Sequence, residues 1–441
     1  MSGERNPSVD AADLMPAPFD PAFTPLSLSH AALARLAWEW QLAAHLQDRV
    51  GIPQVLGRHG IAAMREIAIE EWMGASPVYT RRMQEMLGFR GDDVATIFKG
   101  IQLDVGAPHC FLDFRFVLHP DGTGEFTLPF CGALMDVEPM GEEFVVGMCH
   151  HIEDPTFDAT AVATNPRARV RPIHRPPRVP SDRVPHCHWR VAIDPANDPV
   201  DEIPLTARVR DSKLARLVLP VETAPRSAVG PGRRDYSGPL DPDLELRDFE
   251  PSTLWRIAQE FCVQGHLLVR AFTTAIADRW GEEQAREIGS QQLVGIAGLA
   301  AERVADALGL REAAAADPVD ALARLFQVHP AFQPRAYVDL HVERKGDTVL
   351  CRIGDCPALA EGDARGWIPL LADSPGPHRA LDAIARAIDP RARCRAEQVP
   401  GARVAWSVAI DPYAVPGREA PEVALARMSR GATFRFASRR G

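Results

Sequence analysis

The chain has 441 residues, of which 46% are hydrophobic and 24% are charged, a composition typical of a folded globular protein. Its 49 Lys and Arg residues against 59 Asp and Glu residues give a net charge of −10, which argues against nucleic-acid or anionic-membrane partners. No apolar run is long enough to span a bilayer, and eight Cys without a secretory signal are typical of reduced thiols in a cytoplasmic protein.

In chain order, the first predicted segment is a disordered, acidic N-terminal arm over residues 1–25. Apolar residues at helical spacing then predict helices over 33–50, 60–73 and 78–87. An alternating pattern over 110–118, a turn at 121–124 and a strand to 128 predict a hairpin, and 189–193 supplies a further strand. Residues 26–194 are therefore predicted to be one α+β domain, with helices first and a small, mostly antiparallel sheet second.

Sequence marks of this first domain recur in the second half of the chain. Gly60 is matched by Gly281 and Gly74 by Gly295, each pair 221 positions apart, and Trp189 with its neighbours is matched by Trp406. An ordered series of matches through both halves favours a tandem duplication of the helices-then-sheet unit. The second, diverged α+β domain is predicted over residues 252–420.

Two further segments complete the predicted organisation. Residues 195–251 are dense in Pro and Gly and are predicted to be a semi-rigid linker that runs over the surface. Residues 421–441 form a basic tail, which we expect to be solvated and partly disordered.

The chemistry-bearing residues are concentrated between Cys131 and His188, which hold five of the 14 His and three of the 8 Cys. Two clusters stand out, one over residues 149–154 and one over 186–188. On a strand, His186 and His188 point to one face and Cys187 to the other.

Three interpretations of these clusters remain open. Imidazole and thiolate are ligands that zinc and iron prefer, so a metal site is one interpretation, although the spacing is not that of a zinc finger. A Cys whose thiolate is stabilised by a neighbouring His and an orienting carboxylate is the second. In the third, the cysteines are small buried hydrophobes and the histidines are ordinary hydrogen-bonding groups.

The second half of the chain lacks these clusters. It has Leu370 and Leu371 where the first half has Cys149 and His150, and only Cys356, the match of Cys131, is retained. We therefore expect an active first domain and a structural or binding second domain. His45 and His266 occur at matching positions in both halves, which favours packing or hydrogen-bonding roles before a role in a cleft.

The series Cys131, Cys149, Asp154, Asn165-Pro166, Cys187 and Arg190 resembles the L-2-amino-thiazoline-4-carboxylic acid hydrolase-like family. The resemblance covers about residues 33–194, and the second half departs from it. It implies the hydrolytic opening of a small cyclic C–N or C–S compound. An activated nucleophile and an acid for the leaving group would be needed for that reaction.

The expected function is therefore a hydrolase acting on non-peptide C–N bonds of a thiazoline- or amidine-like compound. The alternatives are a non-haem iron or other redox metalloenzyme, and a non-catalytic sensor of a metal or small ligand. The expected partner is a small molecule, without nucleic acid or membrane, and a homo-oligomer is left open. The cofactor is expected to be zinc or iron, or none.

The candidate residues divide into three roles. The candidate catalytic residues are Cys149, His150, Asp154, Cys187 and His188. Guanidinium groups hold carboxylates well, so the candidate substrate-binding residues are Arg190 and Arg115. The candidate metal ligands are Cys131, Cys149, Cys187 and His188, with His151, His174 and His186 as alternatives.

Overall fold

A computed structural model describes residues 14–222, 232–374 and 376–440. Its helices and its two small antiparallel sheets confirm the predicted α+β class. Within the described part, no helix is both long enough and apolar enough to cross a membrane.

The first half begins with helices and ends with a four-stranded sheet. Its elements are α1 (His30–Leu46), α2 (Asp48–Met86), α3 (Val94–Gln102), β1 (Arg115–Leu118), β2 (Gly124–Leu128), α4 (Gly132–Val137), α5 (Glu142–Val146), α6 (Glu153–Val162), β3 (Ala168–His174) and β4 (Cys187–Ile193). A π-helical turn, Gly147–Ile152, joins α5 to α6. One further helix, α7 (Pro204–Arg210), follows β4.

The second half repeats this order. Its elements are α8 (Pro251–Trp280), α9 (Glu282–Ala307), α10 (Leu310–Ala314), α11 (Pro318–Val328), β5 (Leu340–Lys345), β6 (Thr348–Ile353), α12 (Trp367–Ala372), α13 (Arg379–Arg386), β7 (Ala392–Ala396), β8 (Val404–Ile410) and α14 (Pro421–Ala426).

The two halves share one topology. The strand orders are β1-β2-β4-β3 and β5-β6-β8-β7, with antiparallel neighbours in both. One side-chain contact also repeats: Asp158 Oδ1 accepts the backbone N–H of Val170 at 2.9 Å, and Asp382 Oδ1 accepts that of Cys394 at 2.8 Å. These likenesses fit the predicted pairing of the halves, and their origin by duplication stays a prediction.

The long helices of the two halves pack against each other rather than forming two separate cores. Helix α8 lies against both α1 and α2, and α9 contacts the same pair. The close approach is visible at Gly265, where a Cβ atom would lie 3.0 Å from the Cβ of Ala44. The buried apolar residues of both halves accordingly belong to a single hydrophobic cluster. Residues 26–194 and 252–420 are therefore not independently packed units.

The chain ends are more ordered than the sequence predicts. Residues 1–13 of the expected arm lie outside the described residues, but Met15 and Phe23 are buried, and the backbone carbonyl of Met15 accepts a hydrogen bond from Arg324 at 2.8 Å. In the tail, Arg303 donates to the carbonyls of Gly431 and Phe434 at 2.8 and 3.0 Å. The expectation of a disordered arm up to residue 25 is therefore wrong for residues 14–25, and so is the expectation of partial disorder in the described tail, because buried arginines bind their backbone carbonyls.

The predicted linker is also partly structured. Within 195–251, α7 packs against α2 and α8, and the Tyr236 side chain is fully buried. Residues 223–231 lie outside the described part of the chain.

The helix breaks at Gly60 and Gly281 give the first testable prediction. Their backbone angles are φ 81°, ψ 177° and φ 88°, ψ 169°, a region that essentially only glycine adopts. We expect Gly60→Ala and Gly281→Ala each to lower the free energy of unfolding by about 1–3 kcal/mol, measured by denaturant unfolding followed by circular dichroism.

The control is Gly57→Ala, since Gly57 is an exposed residue of α2 with no atom near the position of an added Cβ. This variant should be unchanged or more stable by about 0.5–1 kcal/mol, because alanine favours the helix. Equal effects at positions 57 and 60 would contradict the role of the left-handed backbone.

Candidate functional site

The first half contains a cavity of about 840 Å³. It lies among α1, α2, the segment from α4 to α6, the inner face of the sheet and residues 425–433 of the tail. Most lining side chains are apolar, and they include five methionines, Met64, Met135, Met140, Met148 and Met428. The volume suits a small organic molecule, and the flexible methionine side chains suit an apolar one.

Helices α1 and α2 supply a group of polar residues to the cavity wall. His45, Asp48, Arg49 and Trp72 line it. The Trp72 indole Nε1 donates to Asp48 Oδ2 at 2.9 Å. Burial and the Arg49 guanidinium lower the pKa of His45 well below its usual value, so this imidazole is neutral near pH 7.

Asp48 is coupled to a second carboxyl group, that of Glu71. Glu71 is fully buried, and neither of its oxygens accepts a hydrogen bond from an N–H or hydroxyl group of the described residues. Burial and the neighbouring Asp48 raise the pKa of Glu71 well above its usual value. Burial raises the pKa of Asp48 as well, but the Arg49 guanidinium and the hydrogen bonds from Trp72 and Glu71 oppose this and favour its ionised form. Of the two carboxyl groups, Glu71 is therefore the one that holds a proton more strongly.

Asp104 adds another carboxylate to the same cavity. Its Oδ1 accepts hydrogen bonds from the Tyr79 hydroxyl at 2.8 Å and from the Gly106 backbone N–H at 2.6 Å. Burial raises the pKa of Asp104 to about 6, although both hydrogen bonds favour the ionised form. Among the described residues, no donor binds its other oxygen, Oδ2, so that oxygen is free to accept a proton.

Glu153 lines the cavity at the first residue of α6. Burial raises its pKa to about 8, against the opposing effect of the Arg175 guanidinium. At neutral pH this carboxyl group is therefore mostly protonated. The cavity thus holds one carboxyl group that can give a proton and another, Asp104, that can take one.

The C-terminal tail closes one side of the cavity through Asp136 of α4. Asp136 Oδ2 accepts from Arg49 Nε at 2.8 Å and from the Ser429 hydroxyl at 2.7 Å, while Oδ1 accepts the Arg430 backbone N–H at 2.7 Å. One carboxylate thus joins the cavity wall of the first half to a segment that follows the second half.

The three predicted cysteines converge beside Glu153. Cys131, Cys149 and Cys187 are all buried, and Cys187 lines the cavity. Burial, with the Glu153 carboxyl group as the next cause, raises the pKa of all three thiols, that of Cys131 to about 12. This environment stabilises the thiol and not the thiolate, the opposite of what a cysteine nucleophile needs.

The predicted histidines do not join them. The β4 side chains alternate as expected, so Cys187 and Trp189 face inward while His188 lies on the outer face, where its Nε2 is 2.7 Å from Glu125 Oε2. The His174 ring packs 5.9 Å from that of His188. His186 is buried beside Phe130, and His151 is exposed.

The other candidates bind partners away from the cavity. His150 Nε2 contacts the Pro176 carbonyl oxygen at 2.7 Å, and Asp154 pairs with Arg175. Arg115 pairs with Asp113 at 2.9 Å, and Arg190 lies near Asp121 on the outer face of the sheet. None of these four is among the cavity-lining residues. Cys131, Cys149 and Cys187 thus lie near enough to Glu153 to be affected by its charge, but His188 does not join them, so the predicted convergence of all four residues in one cleft is wrong.

A metal site needs several donor side chains directed at one point. Over residues 14–222, 232–374 and 376–440, no three or more His, Cys, Asp or Glu side chains are arranged to hold one. The three cysteines also lack the predicted fourth ligand, since His188 lies on the opposite face of the strand.

The sequence interpretation missed Asp48, Glu71, Trp72 and Asp104. The sequence could have revealed three of them, because the second half lacks them at the matching positions. At an offset of 221 positions, it has Val269, Gln292 and Leu293 in place of Asp48, Glu71 and Trp72, respectively. In the second half, the His266 Nε2 contacts the Gln333 carbonyl oxygen at 2.9 Å and the Trp367 ring packs 5.3 Å from the His266 ring. Polar residues unique to one half thus mark its cavity.

Comparisons of this chain with protein-family models, with curated proteins and with solved structures gave no match.

The protonated state of the cavity thiol can be tested directly. We expect iodoacetamide to alkylate Cys187 with a pH midpoint above that of a free cysteine, about 8.5, because burial and Glu153 oppose ionisation. The rate is measured by mass spectrometry across pH 7–10, with free cysteine as the reference. Rapid alkylation of Cys187 at pH 7 would contradict this prediction and would support the interpretation of Cys187 as a thiolate nucleophile.

The tail contact gives another prediction. Asp136→Ala removes the acceptor for Arg49, Ser429 and Arg430, so residues after 425 should be cleaved several-fold faster by a dilute protease. Asp382→Ala, which removes the partly buried contact between α13 and β7 in the second half, is the control for general destabilisation. Equal acceleration of tail cleavage in both variants would mean that Asp136 does not hold the tail specifically.

Proposed function

We propose that the cavity of the first half is the active site of a hydrolase that opens a C–N or C–S bond in a small, largely apolar cyclic compound. The observation that carries this proposal is the pair of carboxyl groups in one cavity whose environments hold one, Glu153, protonated and the other, Asp104, ionised at neutral pH. General acid–base catalysis needs such a pair.

In the proposed reaction, Asp104 Oδ2 takes a proton from a water molecule as its oxygen attacks the electrophilic carbon of the substrate. Glu153 gives its proton to the departing nitrogen or sulfur as the bond to carbon breaks. The two carboxyl groups then exchange one proton with solvent to return to their starting states. Both proton-transfer groups belong to this chain, and the reaction consumes one water molecule.

The cysteines have a different role in this proposal. Cys131, Cys149 and Cys187 keep the surroundings of Glu153 apolar and uncharged, which supports its high pKa. We also propose that the second half is a diverged copy of the first that supplies helices α8 and α9 and the closing tail. A cytoplasmic location stays a proposal from the sequence, and the sequence leaves open whether the chain forms homo-oligomers.

A second candidate function is binding without turnover. The mostly apolar wall with five methionines favours it, since such surfaces adapt to a ligand without any need for chemistry. The tests of the acid and the base below separate the two functions.

The pH dependence of hydrolysis tests the proposed acid and base. Substrates are sought among lactams, thiazolines and cyclic amidines, with products detected by mass spectrometry. Activity should rise with pH as Asp104 ionises near pH 6 and fall as Glu153 loses its proton near pH 8. Glu153→Gln should lower kcat by roughly 10²–10⁴-fold, the usual contribution of a general acid.

Tyr79→Phe sharpens this test. The Tyr79 hydroxyl lowers the pKa of Asp104. Its removal should therefore shift the rise in activity at acid pH upward by roughly one pH unit, while the fall in activity at alkaline pH, which Glu153 causes, stays unchanged. Glu312→Gln on the exposed surface of α10 is the control and should keep the parent profile. Ligand binding with no turnover of any substrate class would favour the non-catalytic alternative.

A further inference from the structure

The polar wall formed by α1 and α2 has acceptors and negative charge without matching donors. Asp48 lines the cavity and is only 8% exposed, and apart from the Glu71 carboxyl group no donor among the described residues binds its Oδ1. Likewise, apart from Asp48, no side chain or backbone group of the described residues binds either oxygen of Glu71. A single proton between these two carboxyl groups makes only one hydrogen bond, so other lone pairs of their four oxygens have no hydrogen-bond donor.

The side-chain hydrogen bonds of two arginines that line the cavity, Arg49 and Arg427, go to other carboxylates. The Arg49 guanidinium donates through Nε to Asp136 at 2.8 Å, and Asp136 is a carboxylate outside the Asp48–Glu71 pair. Arg427, which also lines the cavity, pairs with Glu302 and Glu419. Asp104, on the same wall, receives only neutral donors, from Tyr79 and Gly106. Arg49 lies near enough to Asp48 for its charge to lower the pKa of that carboxyl group, and Arg430 also lines the cavity. Among the described residues, however, no Arg or Lys side chain donates a hydrogen bond to the carboxylate of Asp48 or Asp104.

The aromatic side chain at this position fits a cation as well. Trp72 lines the cavity while its indole N–H is bonded to Asp48 Oδ2 at 2.9 Å. Indole rings attract cations over their faces, and a donated N–H holds the carboxylate in place. An anionic ligand group would meet the repulsion of Asp48 and Asp104 instead.

From this geometry we propose that the cavity selects ligands with a protonated nitrogen, which binds beside Asp48, Trp72 and Asp104 while the apolar body of the ligand contacts the methionine-lined wall. The substrate class is therefore an amphipathic amine or amidinium compound. This inference rests on the proposed function in taking the same cavity as the substrate site. It adds to the proposed function that the substrate is positively charged and names the residues that bind this charge.

The second half provides an internal contrast. At the matching positions it has Val269 for Asp48, Gln292 for Glu71 and Leu293 for Trp72, so none of the three features that would bind a cation is present there. Gln292 is itself fully buried, which indicates that this fold accepts a neutral amide at the position of Glu71.

The test uses three small-molecule probes that each have an alkyl chain but differ in the head group: octylamine (an ammonium), octanol (a hydroxyl) and octanoate (a carboxylate). Their dissociation constants for the full-length protein are measured by isothermal titration calorimetry at pH 7. We expect octylamine to bind at least tenfold more tightly than octanol, because a hydrogen bond between two charged groups is stronger than one between neutral groups, and octanoate to bind most weakly.

Two conservative variants identify the group responsible. Asp48→Asn should abolish the preference for octylamine over octanol, since the charge is lost. Glu71→Gln should retain it, because the amide can donate to Asp48 as the protonated Glu71 does and the Asp48 charge remains. Glu312→Gln is the surface control, and circular dichroism verifies that each variant is folded.

Equal binding of octylamine and octanol to the parent protein overturns the inference, and so does binding of no probe at all. A preference that persists in folded Asp48→Asn also overturns it. If Asp48→Asn does not fold, the comparison of the three probes on the parent protein decides the matter. Failure here leaves the hydrolase proposal intact if Glu153→Gln still removes activity, whereas unaltered hydrolysis by Glu153→Gln defeats that proposal independently.

Discussion

The packing of the four long helices against one another is the constraint on which the rest of the structure depends. Helices α1, α2, α8 and α9 belong to two halves of the chain, yet they bury their apolar faces in a common core. Trp40 illustrates the dependence, since it is fully buried and its indole N–H donates to the Val328 carbonyl, nearly three hundred residues away in the chain, at 3.0 Å. Neither half can bury this surface alone, and each sheet is positioned by helices that the other half supports.

The buried ion pair between Glu39 and Arg303 extends this constraint to the C-terminal tail. Arg303 donates to both oxygens of Glu39, at 2.7 and 3.0 Å, and its remaining N–H groups bind backbone carbonyls of residues 431–434. Removing one partner of a buried pair is strongly destabilising because the other charge is left without compensation. The tail that closes the cavity of the first half is thus held by an arginine of the second.

The two halves use one topology for different purposes. In the first, α1 and α2 carry acids, an imidazole and an indole toward an open cavity. In the second, apolar or amide residues take the matching positions, and Trp367 packs on His266. The second half also buries carboxyl groups, but Glu260, Asp320, Asp389 and Glu422 are each paired with an arginine, whereas no arginine hydrogen-bonds to Asp48 or Glu71 among the described residues. The second half supplies the rigid support that buried acids need.

The sequence by itself determined the α+β class, the order of helices before strands, the matching marks in the two halves, and the alternation that places Cys187 and His188 on opposite faces of β4. These features follow from local periodicity and backbone geometry, which neighbouring residues dictate. Only the tertiary structure decided that the halves share a core, that the tail is ordered, and that Asp48, Asp104 and Glu153 meet in one cavity. The physical reason is that burial and pKa depend on residues far apart in the chain. A carboxyl group on an amphipathic helix has the same local pattern whether it faces water or an apolar cavity, and packing alone separates the two.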